Sequence, residues 1–292
     1  MNCFIATFDI LGYKEFILNN NKEFVDYYNK HIFRESQDAV SGGELISYGA
    51  GVAPDVSLSK VQCLHFSDTI LFWTENVSAE GFQELLKVCS RFYTRTMQLT
   101  FAVRGAIGFG DVEFHPFEIQ GKDGAVFRNA SLYGKGLVTL YIEAEAQDWA
   151  GCVISESIFG AVDDQGDRIV TEQLIYEAIS QKFIAFYPVP FKDGTREYRH
   201  CLRIIRSHLN NVFFRNMAKD IERIFASHLK GKPMPVAVKR KLQNTLDFLA
   251  HFRVEPDYLG QEPSGQPSVS TNADDTKKDE QTEPDGQSPT NE

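Results

Sequence analysis

The chain of 292 residues is 42% hydrophobic, enough for a sizeable core in one large domain or two small ones. Its net charge of −10 is unevenly spread: residues 254–292 hold ten acidic and two basic residues, which leaves 30 acidic and 28 basic, a net of −2, in 1–253. A near-neutral body argues against nucleic-acid binding through bulk charge. Five scattered cysteines without a CxxC argue against a disulfide frame or a zinc site, and no run approaches the roughly 20 apolar residues of a membrane span.

In chain order, the N-terminus "MNCFIATFDIL" has neither the basic region nor the long apolar core of a signal peptide. A cytoplasmic protein is expected, and the sequon "NAS" at 129–131 is expected to be idle. Residues 3–8, "CFIATF", are uncharged and rich in β-branched and aromatic types, which predicts a buried strand ending at Asp9-Ile10-Leu11-Gly12. Helical spacing of Phe24, Tyr27, Tyr28, Ile32 and Phe33 follows, and the Gly/Ser-rich 42–60 reads as a loop or irregular strand. Residues 61–66 and 69–73 are two short strands with Ser67-Asp68 between them, a hairpin pattern. Ser-Asp is not the favoured pair for such a turn, as happens where function dictates the residue.

Ser78 caps a predicted helix whose apolar residues Phe82, Leu85, Leu86, Cys89, Phe92, Tyr93 and Thr96 step by three and four. "LTFAVRGAIGFGDV" (99–112) predicts a strand, with a return strand near "GAVFRNA". "YGKGLVTLYIEAEAQDW" (133–149) predicts a glycine turn and a helix. There Leu137, Tyr141, Ala144 and Asp148 make no clean stripe but are flanked by Val138, Ile142 and Glu145. "GCVIS" (151–155) is a short strand. Paired strands separated by helices imply an α+β sheet with helices on one face. Beyond 160 the pattern changes to a polar turn, mixed segments, and two amphipathic helices near 207–229 and 236–252. The expected organisation is a domain at 1–160, an extension at 161–253 and a disordered acidic tail at 254–292, of which 262–292 has one Val and no other aliphatic or aromatic core former.

Asp9 ends the first strand and Asp68 sits in the hairpin turn. If the two pair side by side, both carboxylates converge at one end of the sheet, where they repel unless a cation lies between them. Hard oxygen ligands, few in number, suit Mg²⁺ or Mn²⁺ carrying waters and substrate phosphates, and two such ions promote phosphoryl transfer. Read singly, Asp9 is a helix N-cap and Asp68 an exposed turn residue; read together, with the strand pattern around each, they favour a metal site. Other chemistries lack their motifs: there is no HExxH, GxSxG, GxGxxG or GK[ST], and "DDQGD" is too short for an EF-hand loop.

"FDILGYKEF", "FSDTILFW", "VRGAIGFGDV" and "YGKGLVTLYIEAEAQDW", in this order, resemble the class III nucleotidyl cyclases, most nearly the bacterial antiphage pyrimidine cyclases of Pycsar systems. The resemblance implies a ferredoxin-like, palm-type antiparallel sheet. It implies that Asp9 and Asp68, with the carbonyl of Ile10, hold two Mn²⁺ or Mg²⁺ ions, and that Ser67 and Thr69 contact substrate. It implies a nucleoside triphosphate converted to a 3′,5′-cyclic nucleotide and pyrophosphate, with sites between the subunits of a homodimer and a downstream effector that senses the product. No nucleic acid or membrane partner is implied.

The departures from the family carry information too. Where purine cyclases place an Asn and an Arg four apart, this chain has Thr139 and Glu143; a carboxylate cannot neutralise charge building on phosphate, so another cation is needed. Arg104 and Lys135 are the candidates, with a structural ion pair and a solvated turn lysine as their alternatives. The purine-reading positions carry Leu64 and Leu132, which cannot hydrogen-bond a base edge. Tyr48 is a candidate to stack on the base. The expected substrate is UTP, with CTP as the runner-up, and a non-catalytic nucleotide-binding module is the rival reading.

Overall fold

The uncharged run at the N-terminus forms the centre of a sheet. In the computed structural model, which describes residues 1–49, 51–207, 209–227 and 229–253, strand β1 (Asn2–Ile10) is buried on both faces from Cys3 to Phe8. The acidic tail, 254–292, lies outside the described residues. Helices α1 (Tyr13–Asn19) and α2 (Lys22–Val40) follow, then β2 (Leu45–Tyr48), β3 (Gly51–Pro54), the hairpin β4 (Val61–Phe66) and β5 (Thr69–Thr74), helix α3 (Ala79–Leu99) and β6 (Val103–Asp111). Next come β7 (Glu113–Gln120), β8 (Val126–Tyr133), α4 (Lys135–Ala146), β9 (Cys152–Ile154), α5 (Glu172–Ser180), β10 (Ile184–Pro190), β11 (Arg196–Leu202), α6 (Asn211–Ser227) and α7 (Val236–Ala250).

Seven strands form one sheet in the order β10-β11-β9-β6-β1-β5-β4, antiparallel except for the β6–β9 pair. The architecture is α+β, as expected. Within the sheet, β6-β1-β5-β4 with α2 and α3 has the order and connectivity of a ferredoxin-like βαββαβ unit. The apolar stripe of α3 packs on one face of this unit, where Phe8 meets Phe72, Phe92 and Tyr93, and Phe4 meets Phe82 and Phe109. Ser78 caps α3 by accepting from the Gly81 N–H.

The expectation that all helices share one face is corrected by α4. A Cβ on Gly105 would meet Phe8 on the α3 face, whereas one on Gly108 would meet Leu140 of α4. Residues three apart in a strand point to opposite faces, so α4 covers the second face. The carboxylate of Asp111 accepts from the Lys135 and Gly136 N–H groups at 3.0 and 2.8 Å, which ties the start of α4 to the end of β6.

Three further segments differ from the sequence reading. The Gly/Ser-rich 42–60 contains the hairpin β2–β3. The predicted return strand is β8, but it pairs with β7 in a separate two-stranded ladder rather than with β6. The mixed segments after 160 contain α5 and the hairpin β10–β11, which joins the main sheet through Cys201 opposite Val153. Pro188 and Pro190 obscured that strand, and β10 tolerates them because it is a sheet edge. The boundary at 160 therefore marks a change of sequence pattern inside one sheet.

Glycines set the distance between α4 and β6. A Cβ on Gly110 would lie 2.6 Å from the Gly136 Cα, and backbone cannot yield there as a flexible side chain would. Gly110→Ala is expected to lower stability by about 1–3 kcal/mol, measured by urea denaturation of the full chain.

Candidate active site

Asp9 owes its position to its neighbours in the sheet. It is the ninth residue of the chain and stands opposite Thr69 of β5 and Arg104 of β6. All three side chains lie on the α4 face, since directly opposed residues share a face. Asp68 is one residue before Thr69, and the Ile10 N–H donates to the Asp68 carbonyl at 2.8 Å, which docks the hairpin turn on the end of β1. This register sets the Asp68 backbone against the end of β1, beside Asp9, and the Asp68 charge raises the proton affinity of the Asp9 carboxyl.

The turn itself is strained. Ser67 has φ 57°, and Asp68 does not have positive φ. That is the backbone of a tight hairpin turn whose first central position favours glycine. A serine there costs roughly 1–2 kcal/mol. The Ser67 carbonyl accepts from His65 Nε2 at 3.0 Å. Ser67 is exposed, Asp68 and Thr69 are half-buried, and Ile10 is buried.

Arg104 is the pivot of the site. Its Nη2 donates to Asp9 Oδ2 at 3.0 Å, and its Nη1 donates to the carbonyls of Glu145 and Gln147 at 3.1 and 3.3 Å. The side chains are 8% exposed for Arg104 and 23% for Asp9. Burial pushes the Asp9 carboxyl above its ordinary value; Arg104 opposes this, and Asp68 and Glu145 add to it. The phenol of Tyr141 is likewise pushed up, by burial first and then by Glu145, Asp9 and Asp68. Tyr141 and Glu145, four apart on α4, therefore belong to the same electrostatic neighbourhood. Sequence reasoning placed them on the helix but gave them no role; their spacing on one helix face was the available signal.

Lys135 is not brought to the carboxylates. Its N–H is tied to Asp111, seven residues along β6 from Arg104, so the two tie points are about 24 Å apart. It is exposed at the start of α4, whereas Arg104 holds the helix's far end. Thr139 is exposed on α4, and Glu143 is half-buried, with its carbonyl accepting from Gln147 Nε2. Leu64 and Leu132 pack against the core. Tyr48 ends β2 opposite Gly51, and its side chain lies outside the described residues. A cavity of about 1010 Å³ lies elsewhere, between α2, α3 and the 205–207 segment, and none of Asp9, Asp68 or Arg104 lines it.

The donor set fits a hard cation that brings part of its own coordination sphere. Arg104 engages Asp9 Oδ2, and the neighbouring Asp68 repels the Asp9 charge. Among the described residues, no cluster of three or more His, Cys, Asp or Glu is placed to hold a metal. Two carboxylates alone suit Mg²⁺ or Mn²⁺ bound jointly with substrate phosphates and water.

No family profile matches the chain, and no curated protein matches it. Among solved structures it is similar to the catalytic core of a rhodopsin-guanylyl cyclase of converted specificity in complex with ATPαS. The identity is 12% and the TM-score 0.43, over 69% of this chain and 95% of that one. It is also similar to a bacterial light-regulated adenylyl cyclase, at 7% identity and TM-score 0.41, over 77% of this chain and 57% of that one.

Because the folded Asp9 binds its proton more tightly than the unfolded chain, the fold loses this contribution as pH rises from 3.8 through the raised value. Asp9→Asn keeps an oxygen acceptor for Arg104 and removes the buried charge. In metal-free buffer it is expected to melt at or above the parent temperature at pH 7, with the gap closing below pH 3.8; thermal denaturation at both pH values measures this.

Proposed function

We propose that the chain is a metal-dependent pyrimidine nucleotidyl cyclase that converts UTP to 3′,5′-cyclic UMP and pyrophosphate, with CTP as the alternative substrate. The observation that carries the reading is the convergence of Asp9 and Asp68 at one strand end, beside a buried guanidinium. A second messenger in antiphage defence, sensed by a downstream effector, is the role the motif resemblance supports.

Asp9 and Asp68, with the Ile10 carbonyl, hold Mn²⁺ or Mg²⁺. Such an ion, when bound, lowers the proton affinity of the attacking 3′-hydroxyl and neutralises charge on the phosphates. Asp68 presents its carboxylate from a turn fixed against β1. Ser67 and Thr69 flank it as substrate contacts. Arg104, with only 8% of its side chain exposed, acts mainly by holding Asp9 in place. The 3′-hydroxyl gives its proton to water as its oxygen bonds to the α-phosphorus; the bond from that phosphorus to the bridging oxygen breaks, and the oxygen leaves with pyrophosphate.

Lys135 reaches a carboxylate pair only across a dimer, because it lies at the far end of its own α4. The exposed apolar residues Val138, Tyr141 and Ile142 of α4 offer a face for that association. Pyrimidine selection is supported by Leu64 and Leu132, whose packing against the core leaves no hydrogen-bonding group at the purine-reading positions. Tyr48 is the proposed base-stacking residue. The rival reading, a non-catalytic nucleotide-binding module, is favoured by Thr139 and Glu143 in place of the family's Asn and Arg.

Incubation with each of the four triphosphates and Mn²⁺ is expected to give cyclic UMP from UTP. Cyclic CMP alone moves the assignment to CTP, and tight triphosphate binding without product supports the module. Asp9→Ala and Asp68→Ala are each expected to lower turnover by at least about a hundredfold while retaining the parent's circular dichroism.

A further inference from the structure

The C-terminal helix α7 is not only a cover for the core. Its polar residues converge on the turn that joins α4 to β9, residues 147–150, and this turn holds Arg104. Gln147 is fully buried; its Nε2 donates to the Gly105 carbonyl at 2.9 Å, and its Oε1 accepts from Trp149 Nε1 at 2.7 Å. Its carbonyl and that of Glu145 are the acceptors for Arg104 Nη1. On the other side, Asn244 Nδ2 donates to the Asp148 carbonyl at 2.8 Å, and Thr245 Oγ1 accepts from the Ala150 N–H at 2.9 Å. Arg240 Nε donates to Asp148 Oδ2. The Asp148 N–H donates to the Pro190 carbonyl, so β10 grips the turn as well. Trp149 is wedged between Tyr187 and Phe248, with ring centroids 5.4 and 4.6 Å away.

Nearly all of this is buried. Asn244 is 8% exposed and Thr245 0%, and Asp148 is 2% exposed. A carboxylate held that deep needs its partners, because an uncompensated buried charge is strongly destabilising. The turn therefore has one arrangement, and Arg104 inherits it. With two guanidinium nitrogens committed to Asp9 and to the turn, any shift of the turn moves the donor that fixes the Asp9 carboxylate.

We propose that Asn244 and Thr245 of α7 are positioning residues for the carboxylate site: they fix the 147–150 turn, whose Gln147 carbonyl, together with that of Glu145 in α4, aims Arg104 at Asp9. The structural part of this inference stands on the contacts alone; its kinetic consequence rests on the cyclase reading above.

Thr245→Val, nearly the same in shape, removes the acceptor for the Ala150 N–H, whereas Thr245→Ser keeps it. In the full-length protein, the Nε–H resonance of Arg104, assigned by its loss in Arg104→Lys, is expected to shift in Thr245→Val and in Asn244→Ala. It is expected to stay at the parent position in Thr245→Ser and in Lys239→Ala, an exposed change on the same helix. With UTP and Mn²⁺, Thr245→Val is expected to lose roughly tenfold or more in kcat with KM changed less than about twofold. In an Arg104→Ala background the same substitution is expected to cost nothing further. Asn244→Ala serves alone if Thr245→Val does not fold. A variant that melts lower yet leaves the Arg104 resonance and kcat at parent values overturns the inference. A shifted resonance in a protein that cyclises no triphosphate, parent included, upholds the positioning and overturns the cyclase reading instead.

Discussion

One guanidinium joins the parts that make the site. Arg104 sits on β6, reaches Asp9 on β1, and takes its remaining acceptors from the end of α4 and the turn after it. A guanidinium this deeply buried needs acceptors for its N–H groups; among the described residues Nη1 and Nη2 have them, and Nε has none. The strand register, the seating of α4 on its face of the sheet and the turn at 147–150 are therefore linked constraints. Asp111 ties α4 at its other end, so the helix is strapped along β6 by an acid at its start and a base at its finish. What the straps fix in space is the Asp9 carboxylate, and with it the gap between Asp9 and Asp68.

The pair of aspartates was legible because both rest on local patterns. "CFIATF" reads as a buried strand, and two apolar runs separated by Ser-Asp read as a hairpin although Ser-Asp is not the favoured turn pair. The β1–β5 pairing supplied the rest. Lys135 was not legible in the same way, since motif order says nothing about the direction in which α4 crosses the sheet. Tyr141 and Glu145 were visible as a helix face, but their coupling to Asp9 depends on that crossing. The hairpin β10–β11 was masked by its prolines. The contacts of Asn244 and Thr245 join residues nearly a hundred positions apart, and no periodicity or spacing announces such a pairing.

Two features of the site run against stability. Ser67 holds a left-handed backbone that glycine would adopt freely, and Asp9 is a carboxyl for which burial favours the neutral form. Strain and perturbed proton affinity gathered at one strand end accord with the site proposed there. The surrounding aromatic packing of Phe8, Phe72 and Phe92 is what allows the fold to bear them.

The addition of β10 and β11 beyond β9 has a practical side. A recombinant fragment cut at 160, where the sequence pattern changes, would strip away the strand that pairs with β9 and the helix that covers Trp149. It would leave a short apolar strand with an open row of backbone donors and acceptors, the kind of edge that recruits other chains. Such a fragment is a candidate for inclusion bodies, and the smallest workable expression unit runs through α7.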